Sequence, residues 1–173
     1  MKKIIVTGAN GVGKSHFANK LALARPEISV ISFDAIKLRT GWQQRPRSEI
    51  DASLARVLET EAWILEGGPS LLSQAVGAAD ALVWLDPPEY VRVWQMAARP
   101  WKFFGKTRPE LPSGNVDWPL QQYKFAIERL RNRSKFRTSI SEVFGRADIQ
   151  QKWRCRTADD RINVLTHWAD ASV

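Results

Sequence analysis

The amino-acid sequence predicts a three-layer α/β/α protein, with helices on both faces of a five-stranded parallel sheet, and three observations predict it. Short apolar runs suited to buried strands alternate with stretches of helical periodicity along the chain. Turn formers such as Pro26, Gly67-Gly68-Pro69 and Pro87-Pro88 fall between these segments. The first apolar run, Ile4-Ile5-Val6, leads directly into Gly8-Ala9-Asn10-Gly11-Val12-Gly13-Lys14-Ser15, which fits G-x-x-x-x-G-K-[ST] at every fixed position and lies between a strand and a helix. That pattern makes the fold class P-loop NTPase. The 173 residues suit a single domain, 1–173, that buries a sizeable core without staples.

Taken in order, residues 3–7 read as the first strand and 14–24 as the first helix, with Phe17, Leu21 and Ala24 on one face. Residues 28–33 alternate apolar and polar side chains and end at Asp34, as a strand does when its carboxylate reaches the carboxyl edge of a sheet. Residues 37–47 lack periodicity and carry Arg39, Gly41, Trp42, Arg45 and Arg47, so they read as a loop near the substrate. Ser48 opens a capping-box pattern, and Ile50, Leu54, Val57 and Leu58 mark a helix that ends near Glu61. Residues 62–65 form a third strand closed by Glu66, followed by a short helix over 70–76 and a fourth strand over 79–85. Pro87 and Pro88 start a helix that runs to about Arg99. Four prolines and two glycines interrupt residues 100–119 among aromatic and basic side chains, which predicts an irregular, lid-like insertion. A helical face resumes at Leu120, Tyr123, Ile127 and Leu130. Residues 151–156 read as a fifth strand, and Thr157 caps a closing helix carried by Ile162, Val164, Leu165 and Trp168.

Composition narrows the function classes. The single cysteine, Cys155, excludes an intramolecular disulfide and a cysteine-based zinc cluster. No apolar run approaches membrane-spanning length and the first one is too short for a signal peptide, so a cytoplasmic protein without a membrane partner is expected. The net charge of +8 is uneven: residues 1–91 hold ten basic and ten acidic side chains, and residues 92–173 hold sixteen and eight. A localised excess of this kind suits an anionic partner, either polyphosphate or nucleic acid. Arg129, Arg133 and Arg137 recur at four-residue spacing, and with Arg108 they are candidate phosphate contacts or a solvated basic face.

The glycine-rich loop supplies the chemistry. Its backbone N–H groups curl inward around a polyphosphate and the following helix adds its positive end. Lys14 then reaches the β- and γ-phosphates of ATP, and the Ser15 hydroxyl binds Mg2+ directly. Asp34 and Glu66, each expected at a strand end beside the loop, suit two roles: holding Mg2+ through water, or accepting the proton of an acceptor hydroxyl. Each carboxylate also suits a helix cap or salt bridge. Arg39, Trp42 and Arg45 are candidates for gripping an anionic substrate. Asp86 also closes a strand, and the prolines after it favour capping. The expected activity is transfer of the γ-phosphate of ATP-Mg to a small acceptor, a nucleotide or nucleoside. The alternative is a nucleotide-regulated DNA- or RNA-binding protein.

Trp63-Ile64-Leu65-Glu66-Gly67-Gly68-Pro69-Ser70, with Gln74 after it, resembles the adenylate kinase signature of three apolar residues, an acid, Gly, a bulky residue, Pro and Arg. Glu66 stands for the acid, while Gly68 and Ser70 depart from the bulky residue and the arginine. Leu85-Asp86-Pro87-Pro88-Glu89 through Arg99 is similar to the strand and helix that lead into the adenylate kinase lid. The resemblance implies that Arg99 contacts the ATP phosphates; Gln95 takes the place of a second arginine. Phe33-Asp34, Gly41-Trp42, Trp63 to Gly67 and the basic, aromatic stretch from Arg99 to Lys135 more closely resemble the adenylate-kinase-like proteins described as DNA topology modulation proteins. This resemblance implies a nucleotide-kinase-like domain with ATP and Mg2+ as cofactors.

Overall fold

The computed structural model describes residues 1–102, 111–115 and 133–171. Five strands, β1 (Lys3–Gly8), β2 (Val30–Ser32), β3 (Trp63–Gly67), β4 (Ala81–Leu85) and β5 (Gln151–Cys155), form one sheet in the order β2-β3-β1-β4-β5. Every neighbouring pair is parallel. Parallel strands covered on both faces need unbroken apolar sequence. Ile4, Ile5, Val6, Ile64, Leu65, Leu82 and Val83 accordingly have no exposed surface, each worth roughly 1.5–3 kcal/mol of burial.

Seven helices accompany the sheet among the described residues: α1 (Lys14–Ala24), α2 (Phe33–Lys37), α3 (Arg47–Glu59), α4 (Pro69–Ala75), α5 (Glu89–Lys102), α6 (Arg133–Arg146) and α7 (Ala158–Asp170). One core layer packs Phe17, Ala18 and Leu21 of α1 and Val164 and Trp168 of α7 on Ile4, Val6, Ile64 and Val83. The other packs Ile50 and Leu54 of α3, Leu71 and Leu72 of α4 and Ile140 of α6 on Ile5, Leu65, Leu82 and Trp84. The buried Trp168 donates its indole N–H to the Leu21 carbonyl at 2.9 Å, locking α7 to α1.

Three local expectations change. The second strand stops at Ser32, so Asp34 lies in the first turn of α2 and not at a strand end. Phe33, buried at the start of that helix, ends the strand by packing into the core, and a carboxylate is favoured near a helix N-terminus. The helix after β4 continues three residues past Arg99, through Pro100. Of the expected insertion at 100–119, residues 100–102 are therefore helical and 111–115 are described; the remainder lies outside the described residues, as do the helix expected around 120–130, the residues Arg108 and Arg129, and the side chains of Arg99 and Arg133.

Candidate functional site

All five strands run the same way, so their carboxyl ends share one edge, and the glycine-rich loop emerges there from the central strand β1. Gly8 has φ +150°, and a Cβ added to it would lie 2.5 Å from the Leu85 carbonyl oxygen of β4. Gly11, at φ +84°, faces α5, where a Cβ would meet the Met96 side chain at 2.4 Å. Neighbouring backbone and side chains thus leave room for hydrogen alone at both positions, and the loop is wedged between β4 and α5. Gly13 forms the N-cap of α1 in the left-handed conformation and brings no side chain to cap its first N–H groups. Val12 anchors the loop in the core, and its carbonyl accepts from Arg161 Nη2 at 3.5 Å. Lys14 donates to the Ala9 carbonyl at 3.1 Å, folding its side chain back over the loop; Ser15 follows in the first turn of α1.

Glu66 sits beside this loop, because β3 pairs with β1 and places Glu66 in register with Val6. The residue is only 4% exposed, and the Ser32 hydroxyl of β2 donates to its Oε1 at 2.7 Å. The buried Thr7 hydroxyl bonds the Gly67 carbonyl at 3.1 Å, tying the ends of β1 and β3 together. Asp34 follows β2 on the other side of β3 and pairs with Lys37 at 2.8 Å, its side chain about half exposed. The order β2-β3-β1 therefore brings Asp34, Glu66 and the loop to one edge in a row. No group of three or more His, Cys, Asp or Glu side chains able to hold a metal occurs among the described residues. Mg2+ needs none when a hydroxyl, water and substrate phosphates supply its ligands.

The substrate-loop candidates have partners within the chain. Arg39 donates to both oxygens of Glu49 at 2.7 and 2.8 Å, and Arg45 lies 3.8 Å from the same carboxylate. Trp42 takes φ +61°, the one non-glycine residue with positive φ among those described. Its N–H donates to Oδ1 of Asn115, a fully buried side chain whose Nδ2 in turn donates to the Arg39 and Pro112 carbonyls at 3.1 and 3.0 Å. Asn115 thus staples 111–115 to the loop after α2. Gln74 donates to Asp51 at 3.0 Å.

Two features escaped sequence reasoning. Arg92, three residues into α5, is 3% exposed and lines a cleft of about 580 Å³ together with Ala9 and Val12 of the loop. Its Nη2 lies 2.9 Å from Glu89 Oε1 but off the N–H direction, so that buried donor makes an ion pair without a hydrogen bond. Asp86 lines the same cleft and, instead of capping α5, gathers Arg137 and Arg154 at 2.9 Å and Arg156 at 4.0 Å. The spacing of Arg92 and Met96 on one helical face was the only signal for the first. The second joins residues 51 to 70 positions apart, and local sequence carries no signal for it.

A parallel sheet in this order, with a glycine-rich phosphate loop after its first strand, defines a P-loop kinase-like fold. Solved structures agree. The chain is similar to a sugar kinase from a Janibacter species (TM-score 0.54, 14% identity, 98% of this chain and 95% of that one). It is also similar to the shikimate kinase of Acinetobacter baumannii in complex with shikimate (TM-score 0.55, 16% identity, 99% and 93%) and a gluconokinase from Sinorhizobium meliloti (TM-score 0.52, 16% identity, 99% and 95%). No protein-family model matches the chain, and no curated protein does. Likeness at this identity establishes the fold. No helix among the described residues is long and apolar enough to cross a membrane.

Proposed function

We propose that the chain is an ATP-dependent phosphotransferase acting on a small hydroxyl- or phosphate-bearing acceptor. The observation that carries this reading is the loop itself: glycines confined by Leu85 and Met96, an uncapped α1 start, Lys14 and Ser15, with buried Glu66 alongside. Loop N–H groups and Lys14 hold the polyphosphate and oppose the charge that develops on it. Ser15 would ligate Mg2+ and Glu66, oriented by Ser32, would hold its water shell; the ion would supply positive charge against the phosphates. Asp34, nearer solvent, orients the acceptor hydroxyl and receives its proton. Arg99 joins the phosphates from the end of α5. Arg39 and Trp42, stapled by Asn115, and Arg45 beside Glu49 form the wall of the acceptor site.

A nucleotide or nucleoside acceptor is supported by the Glu66-Gly67-Gly68-Pro69 resemblance, and a sugar or sugar acid by the named activities of the structural neighbours. The topology-modulation resemblance rests on Phe33-Asp34, Gly41-Trp42, Trp63 to Gly67 and the stretch from Arg99 to Lys135, and the solved structures named above lend it no support. A duplex partner fits less well, since Arg137, Arg154 and Arg156 of the basic half converge on one carboxylate in a cleft instead of forming an open face. The test is ADP release with nucleosides, nucleoside monophosphates, sugars and sugar acids, against Lys14→Ala. Acceptor-stimulated turnover that Lys14→Ala abolishes is expected; its absence across the whole panel overturns the reading.

A further inference from the structure

Asp86 is the least expected charged group in the fold. A single oxygen, Oδ2, receives Arg137 Nη2 and Arg154 Nε, both at 2.9 Å, and lies 4.0 Å from Arg156 Nε. Three guanidinium groups thus share one negative charge. The carboxylate is fixed: its side chain is 13% exposed, and its backbone N–H bonds the Cys155 carbonyl at 2.9 Å. Arg154 is fixed as well, with its guanidinium 4.2 Å above the Trp84 ring. Arg137 and Arg156 are different. Their side chains are 60% and 59% exposed, and both border the cleft that also contains Ala9 and Val12 of the phosphate loop.

We propose that Asp86 is an internal counter-anion, and that Arg137 and Arg156 form a second phosphate subsite whose guanidinium groups leave Asp86 for a phosphate of the bound ligand. Asp86 and Arg154 neutralise each other, so the two exposed arginines carry the surplus charge. A half-exposed ion pair is weakly held. A phosphate offers more charge and more acceptor oxygens than a shared carboxylate oxygen, and guanidinium forks match it in two-point geometry. Arg92, buried in the same wall and paired with Glu89, adds a further positive charge to the cleft. The ligand class, a phosphate-bearing molecule reaching from the loop, rests on the function proposed above.

The test is calorimetric titration of the full chain with Mg-tripolyphosphate and with Mg-ATP, comparing wild type, Asp86→Asn and Arg137→Gln. Removing the competitor is expected to tighten tripolyphosphate binding in Asp86→Asn about threefold, the worth of one half-exposed pair. Arg137→Gln is expected to weaken it by about tenfold, as for loss of one charge-assisted contact. An Asp86 that only supports the fold would weaken binding when replaced, so the sign separates the two. If Asp86→Asn does not fold, Arg137→Gln and Arg137→Lys decide: loss with Gln and partial recovery with Lys sustain the subsite, and unchanged binding overturns it. A second arm titrates orthophosphate in saturating Mg-AMP-PNP. An Arg137→Gln defect with tripolyphosphate and ATP sustains the subsite, and a defect confined to the orthophosphate arm overturns it as a subsite for the phosphates that reach from the loop. A wild-type chain that binds no Mg-ATP overturns both readings; one that binds it with no change in either variant overturns this inference alone.

Discussion

Replacing Gly8 by alanine tests whether the phosphate loop takes its shape from the strand beside it. The new Cβ would lie 2.5 Å from the Leu85 carbonyl oxygen and 2.9 Å from Val12 Cγ2, with φ at +150°. The Leu85 oxygen belongs to the backbone of β4, which is paired with β1 on one side and β5 on the other, so no rotamer change relieves the contact. Positive φ costs an L-residue roughly 1–2 kcal/mol and overpacking a further ~1–3 kcal/mol, offset in part by about 0.4–1 kcal/mol from a stiffer unfolded chain. At about 2–4 °C per kcal/mol for a domain of this size, the net cost of about 1–4.6 kcal/mol lowers Tm by about 2–18 °C. Gly13 is the matched control: its φ is +84°, yet a Cβ there meets nothing within 4 Å. Gly13→Ala therefore carries the backbone strain and the same unfolded-chain offset alone, a fall of at most about 6 °C. Differential scanning calorimetry of the two variants decides. A Gly8→Ala protein within about 2 °C of wild type, or a larger loss in Gly13→Ala, would refute the packing argument.

Asn115→Ala removes the bonds that staple 111–115 to the loop after α2 and leaves the Arg39 and Pro112 carbonyls without that donor. A stability loss of ~1–3 kcal/mol and faster tryptic cleavage after Arg39 are expected, read by denaturant unfolding and timed proteolysis. Burial first, and then the Asp160 charge, push the Cys155 thiol up to about 11, with Arg161 opposing. Native protein at pH 8 should therefore resist thiol reagents, and labelling should follow global unfolding. At the start of α7, the Thr157 N–H, then the Arg156 N–H and the Thr157 hydroxyl, hold the Asp160 carboxyl below its usual value. A depressed native pKa stabilises above the unfolded value of about 3.9 and is lost as pH falls through the native one. The Tm advantage of wild type over Asp160→Asn should hold at neutral pH and close below about pH 4.

Much of this architecture was legible because it is local. The strand-loop-helix around Gly8 to Ser15 announces itself by motif and hydrophobic run, and Glu66 by ending an apolar stretch. The helix boundaries of α1 and α3 follow from spacing and capping to within two residues. What sequence concealed is set by distant partners. Asp34 reads as a strand end until Phe33 buries itself and turns the chain into α2. Arg39 and Arg45 suit a substrate grip or surface charge alike in sequence, and their partner, Glu49 on α3, is set by the fold. Asp86 looks like a cap before Pro87-Pro88, and only the β4–β5 register, with Leu85 opposite Cys155, brings Arg154 and Arg156 to it. Apolar periodicity reports which face is buried; it does not report which charge meets which.

The central claim is that Gly8 to Ser15 cradles the phosphates of ATP with Mg2+, and titration of wild type and Lys14→Ala with Mg-ATP under a thermal-shift readout tests it most directly. At a nucleotide concentration a hundredfold above Kd, wild type should gain about 2.7 kcal/mol of stability, a Tm rise of about 5–11 °C that requires Mg2+. Lys14→Ala, folded and with its own Tm near that of wild type, should show little of this rise. An absent shift in wild type, or an equal shift in Lys14→Ala, would contradict the account.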